Sequence, residues 1–178
     1  MRYNFCRRIL MALFFSMIVY LIALPVHWLT IRSSDGMLLY AFSAPAGFSF
    51  TVRFNHSVEG TPVEDEYLVS GGMIRQWEER TKSHNAGLPF KAPPRGRFLQ
   101  EGDWMIIRGG GSSFCRIRYR VGNSSWGENV LTVKERTVEL FRLHPDEVLF
   151  MEAAEGSALL SPFLMEPAPV CPMPKRER

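Results

Sequence analysis

The residues best equipped for chemistry stand together in Asn55-His56-Ser57-Val58-Glu59, with Glu64, Asp65 and Glu66 close behind. One imidazole beside several carboxylates can hold a hard or borderline cation or meet a polar ligand. It can equally serve as a hydrogen-bonded core group, and both readings are open at this point. His56 shares two-residue parity with Phe50, Val52 and Phe54, which turns it inward on a strand. A buried imidazole without a partner leaves about 1–3 kcal/mol of desolvation uncompensated. Reach to a carboxylate of Glu59, Glu64 or Glu66 is therefore expected. Ser57 adjoins His56, so on a strand the two face opposite sides and cannot exchange a proton directly. There is no G-x-S-x-G elbow, no phosphate loop, no dinucleotide fingerprint and no zinc spacing. The candidate cluster is thus His56, Ser57, Glu59, Glu64 and Glu66, with no catalytic residue assigned and no metal or cofactor named.

A second stretch, His84-Asn85-Ala86-Gly87-Leu88-Pro89, can turn sharply, because Asn85 and Gly87 tolerate left-handed backbone. It is a candidate loop for an anion or for a partner's edge, and equally a structural corner. No second histidine stands at diagnostic ligand spacing from His56, and His84 is the one left to approach it through the fold. His144 precedes Pro145 and reads as a solvated turn residue.

The elements that must position these groups read as strands. Phe48–Val58 and Cys115–Val121 alternate with period two, the latter setting Cys115, Ile117, Tyr119 and Val121 against Arg116, Arg118 and Arg120. Gly71-Gly72 suits a two-residue hairpin between Val63–Ser70 and Met73–Arg80. Further strands are expected at Met37–Phe42, Asp103–Arg108, Asn129–Lys134, Arg136–Leu143 and Glu147–Glu152, about nine in all. Ala153–Leu160 suits one helical turn or a frayed strand. No intervening helix is long enough for parallel crossovers, so an all-β, antiparallel β-sandwich or partly open barrel is expected over 37–152. Residues 161–178 are Pro-rich and read as a disordered tail.

From Ile9 to Leu29 runs a stretch of 21 residues without a formal charge. About 20 helical residues cross a bilayer core. Arg2, Arg7 and Arg8 precede it, which keeps residues 1–8 cytoplasmic and everything after the 9–29 anchor outside. A cleaved signal peptide fits less well, because Ala23 is followed by Leu-Pro-Val-His-Trp. From Ile31 onward 18 basic residues meet 18 acidic ones, so the excess of +3 lies wholly in the N-terminus. A nucleic-acid binder carries its excess on the folded domain, and that class is excluded. Cys6 precedes the apolar run, while Cys115 and Cys171 would share an oxidising side that permits one bridge.

The order F-N-H-S-V-E-G-T-P-V-E-D-E-Y, then S-H-N-A-G-L-P some twenty residues on, resembles the DUF1850 family over about residues 37–150. That resemblance implies a small bacterial extracytoplasmic protein at the inner membrane. Its motif positions fall on His56, Ser57, Glu59, Glu66, Gly87, Leu88 and Pro89. It also implies a partner, the permease or the substrate-binding protein of a TAXI-type TRAP transporter. Two functions follow as expectations: an accessory module that binds such a component, or an enzyme centred on His56 and its acids.

Overall fold

Proline cannot continue a helix, since its ring removes a donor and clashes with the preceding turn. Pro25 stands where that rule decides the N-terminal architecture. In the computed structural model, which describes residues 2–23, 25–83 and 91–157, helix α1 (Arg2–Ala23) stops two residues earlier and Pro25 opens a strand. The strands are β1 (Pro25–Arg32), β2 (Leu38–Ser43), β3 (Ser49–Asn55), β4 (Pro62–Ser70), β5 (Met73–Thr81), β6 (Arg97–Glu101), β7 (Trp104–Arg108), β8 (Ser113–Phe114), β9 (Arg116–Arg120), β10 (Gly127–Val133) and β11 (Arg136–Glu139). A single helical turn, α2 (Leu140–Leu143), leads into β12 (Val148–Ser157).

The strands form two antiparallel sheets, confirming the all-β class. One has the order β2-β1-β12-β9, and the other β11-β10-β3-β4-β5-β7-β6 with β8 paired to β5. Leu29, Ile31, Leu149 and Met151 of the small sheet pack with Phe50, Val52, Val69, Ile74, Leu131 and Val133 of the large one. Alternation in β3 is as expected, with Phe50 and Val52 buried and Arg53 exposed. Gly71 and Gly72 take φ of 59° and 68°, the pair of positive values a tight hairpin demands.

Several boundaries differ from those read in the sequence. Residues 25–29 of the expected 9–29 anchor belong to β1, whose Leu29 and Ile31 are fully buried. The same apolar residues that suit a bilayer also suit a core, and once Pro25 has broken the helix the core takes them. The β region therefore begins at Pro25 rather than at 37 and runs to Ser157, where β12 stays extended by pairing with β1 from Pro25 to Arg32. β6 and β8 were not expected, and the strand expected over Arg136–Leu143 ends at Glu139 as Leu140 turns into the core. Among the described residues no helix is long and apolar enough to cross a membrane. Cys115 is disulfide-bonded; Cys171 and the 161–178 tail lie outside the described residues.

The two ends of the sandwich differ in what they carry. The α1–β1 junction shares one end with the 44–48 loop, where the Ala44 amide donates to the His27 carbonyl at 2.8 Å, and with the Gly71-Gly72 turn. The opposite end carries the 33–37 turn and the 56–61, 121–126 and 144–147 loops. There the Val121 amide donates to the Glu147 carbonyl at 2.9 Å at the end of the small sheet, and Gly127 pairs with Asn55 at the end of the large one.

Candidate functional site

β3 ends at Asn55, one residue before His56, so the strand parity that pointed His56 inward stops short of it. The chain turns instead. The His56 amide donates to the Thr61 carbonyl at 2.9 Å, and the Gly60 amide donates back to the His56 carbonyl at 2.8 Å. Gly60 supplies the positive φ, 64°, that closes the turn. The imidazole Nδ1 accepts from the amides of Val58 at 3.4 Å and Glu59 at 3.3 Å. A turn leaves backbone donors unpaired, and a side-chain acceptor two or three residues earlier is the nearest group to satisfy them. Among the described residues no carboxylate pairs with His56, which corrects the expected acid partner. The backbone donors of its own loop hold the ring first.

The other members of the expected cluster do not converge on His56. Ser57 is exposed. Glu59 reaches across to the segment just beyond β5, its Oε2 accepting from the Ser83 hydroxyl at 2.7 Å, while the Thr81 hydroxyl donates to the Ser83 carbonyl at 2.7 Å. Glu64 faces Arg53 at 3.9 Å, a distance at which an exposed pair contributes about 0–1 kcal/mol. Glu66 sits in register with Thr51 on one side and Glu78 on the other. Glu78 itself is buried and clamped by the guanidiniums of Arg80 and Arg108. Burial pushes its carboxyl up, yet the hydrogen bonds and charges of Arg108 and Arg80 prevail and hold it below the usual carboxylate range. The candidate loop of His84, Asn85, Gly87, Leu88 and Pro89 lies outside the described residues. Ser83, at its threshold, is buried. No group of three or more potential metal ligands occurs among the described residues.

A different pair of carboxylates does converge. Asp65 and Glu79 face each other across β4 and β5, and the Gln76 amide nitrogen donates to both, at 3.2 and 3.3 Å. Burial raises the Asp65 carboxyl to about 6, against hydrogen bonds from Gln76 and Tyr67. Burial, with the charge of Asp65 second, raises Glu79 to about 7. Tyr67, stacked on Phe50 at 5.2 Å, and Tyr119, whose hydroxyl accepts from Asn129 Nδ2 at 2.5 Å, complete the surroundings. Burial also pushes both phenols upward. Gln76 and Glu79 line a cavity of about 230 Å³ where the Gly109–Ser112 turn between β7 and β8 passes β5. A carboxyl that titrates near neutrality at a cavity wall can take or give a proton there. The signal for Asp65 was present in sequence, because it shares parity with Val63, Tyr67 and Val69, an acid on an apolar face. Glu79 is found only once β4 and β5 are set in register.

The matched span decides the family. The model for a domain of unknown function, DUF1850, covers residues 50–140. This chain belongs to the DUF1850 family. The DUF1850 span holds the 56–61 loop, the Asp65–Glu79 pair and the Glu78 clamp, whereas β1, β2 and β12, which build most of the opposing sheet, lie outside it. No curated protein and no solved structure matches the chain.

Proposed function

We propose that this DUF1850 protein is a membrane-attached, extracytoplasmic accessory module that acts by binding a component of a TAXI-type TRAP transporter, either its permease or its substrate-binding protein. The observation that carries the attachment is α1. Nine large apolar side chains from Ile9 to Tyr20 are exposed along it rather than packed on the β domain. Apolar area of that extent is favourably removed from water by lipid at about 25 cal/mol per Å². The helix comprises 22 residues, Arg2–Ala23. Arg7 and Arg8 can extend along it to the headgroups of the cytoplasmic leaflet. The disulfide at Cys115 supports an oxidising compartment for the β domain.

Binding is favoured over catalysis at the motif because His56 Nδ1 accepts from the Val58 and Glu59 amides, so the neutral ring carries its proton on Nε2 and has no free lone pair to act as a general base. Of the enzymatic alternative, only the neutral-range carboxyl of Glu79 at its cavity has a specific geometric basis.

A reporter active only in the cytoplasm, fused after Arg178, should be silent, and the protein should stay with bacterial inner membranes after alkaline extraction. Strong reporter signal, or release of the protein on extraction, would overturn the attachment as stated. Detergent-solubilised full-length protein should retain the permease or the substrate-binding protein. Retention of neither would remove the accessory role.

A further inference from the structure

The end of the sandwich opposite α1 is unlike the rest of the surface. Four of the large exposed apolar residues of the β domain stand there: Met37, Val58, Trp126 and Leu143. Val58 is 75 % exposed and Trp126 41 %, on loops that adjoin through the Asn55–Gly127 pairing. The 122–128 loop is tied in turn to the 143–147 loop by Asn123 Nδ2, which donates to both Asp146 carboxylate oxygens at 3.1 Å. His144 then meets the Tyr40 hydroxyl at 3.0 Å on the strand that follows the 33–37 turn.

The charge of these four loops is one-sided. Residues 33–37, 56–61, 122–128 and 143–147 contain Asp35, Glu59, Glu128, Asp146 and Glu147, whereas the guanidiniums beside them are engaged elsewhere: Arg32 donates to the Gly36 carbonyl at 3.1 Å and Arg142 pairs with Glu139 at 2.9 Å. The carboxylates are held by neutral or imidazole partners: Ser33 on Asp35, Ser83 on Glu59 at 2.7 Å, Asn55 on Glu128 at 2.7 Å, Asn123 on Asp146, and His144 on Glu147 at 3.3 Å. They are fixed in place by hydrogen bonds rather than neutralised by basic side chains. An apolar centre with a rim of preorganised like charge is the makeup of a protein-binding surface, with the rim setting partner choice and on-rate.

We infer that this rim, with Val58 and Trp126 at its centre, is a docking surface for a soluble protein whose contact face is apolar at its middle and lysine- or arginine-rich around it. The orientation rests on the membrane reading above. With α1 in the bilayer the rim faces away from it, which favours a soluble partner over the permease. The motif residues His56 to Glu59 then have a second consequence, because the imidazole that caps the turn also sets Val58 outward.

The test uses full-length protein in detergent and the purified substrate-binding protein of the transporter as probe. Val58→Asp and Trp126→Ala should each weaken binding at least about tenfold, a loss of about 1.4 kcal/mol. The double variant Glu128→Lys with Asp146→Lys should do the same and flatten the salt dependence. Ala46→Asp, at the α1 end, should leave binding unchanged. Melting temperatures close to wild type for the Val58 and Trp126 variants establish that folding is intact. Absence of binding, or loss with Ala46→Asp but not with the rim variants, overturns the inference. So does a rim variant that merely converts a dimer of this chain to monomer, since the occupant is then a second copy. Membrane extraction reads the attachment separately: a protein that extracts as soluble but loses its partner with Val58→Asp refutes the attachment and leaves the rim in place.

Discussion

Asp65 and Glu79 stand directly opposite one another across β4 and β5 and share the single amide nitrogen of Gln76. Among the described residues neither carboxylate forms an ion pair with a basic side chain; the neighbours are Gln76, Tyr67 and Tyr119. Two like charges so placed cannot both ionise cheaply, and the pair titrates as a unit.

The pH dependence follows from the sign of those shifts. Both groups hold a proton more tightly folded than unfolded, since Asp65 is raised to about 6 and Glu79 to about 7. Their contribution is fully present below the ordinary carboxyl range near pH 4 and is lost as pH rises through about 6 and 7. Asp65→Asn or Glu79→Gln should therefore stabilise the domain more at pH 8 than at pH 5, by an amount on the order of 1–3 kcal/mol. Chemical denaturation at several pH values measures it, and a slope between pH 4 and 7 identical to wild type would refute the raised titration of the pair.

His56 makes a separable prediction. If its ring caps the loop, His56→Ala should cost about 0.5–1.5 kcal/mol, and His56→Asn, which keeps a short-range acceptor, should recover part of that loss. Thermal melts with and without a chelator check it. A chelator that destabilises wild type but leaves His56→Ala unchanged would point to a bound metal instead.

How much of this was legible in the sequence depended on how local the cause was. Period-two alternation placed Phe50 and Val52 in the core, and Gly71-Gly72 marked its hairpin, because both signals act within a few residues. For His56 the parity signal ends with β3 at Asn55, one residue before it, and the unpaired amides of the turn take over. β1 was hidden inside an apolar run that reads the same for lipid and for core, and only its pairing with β12, more than a hundred residues away, distinguishes them. Glu79 carried no mark until register set it against Asp65.

The cysteines give a count that a simple assay can read. Three are present in the chain and Cys115 is bonded, so the oxidised monomer should show one free thiol under denaturing, non-reducing conditions and three after reduction. Cys115→Ser should lower stability by about 2–4 kcal/mol. Three free thiols in protein purified without reductant would remove the bond.

The final prediction separates two kinds of ion pair on the same face of the large sheet. Glu78 is buried and receives both Arg80 and Arg108, whereas Glu64 meets only Arg53, at 3.9 Å and with that arginine more than half exposed. Removing a buried carboxylate leaves two guanidiniums facing one another without their counter-charge, a loss of about 3–5 kcal/mol for a pair broken from one side. The arginines here are partly exposed, so water softens the penalty toward the lower figure. Glu78→Ala should thus destabilise the domain by about 3 kcal/mol, while Glu64→Ala should change it by no more than about 0.5 kcal/mol. The lowered carboxyl of Glu78 adds a sign: its contribution is present above the ordinary glutamate range and is lost as pH falls through its depressed value. The gap between the two variants should accordingly be wide at pH 7 and narrow in strong acid. Urea denaturation at both pH values measures it, and equal losses for Glu78→Ala and Glu64→Ala at pH 7 would show that the clamp stabilises nothing.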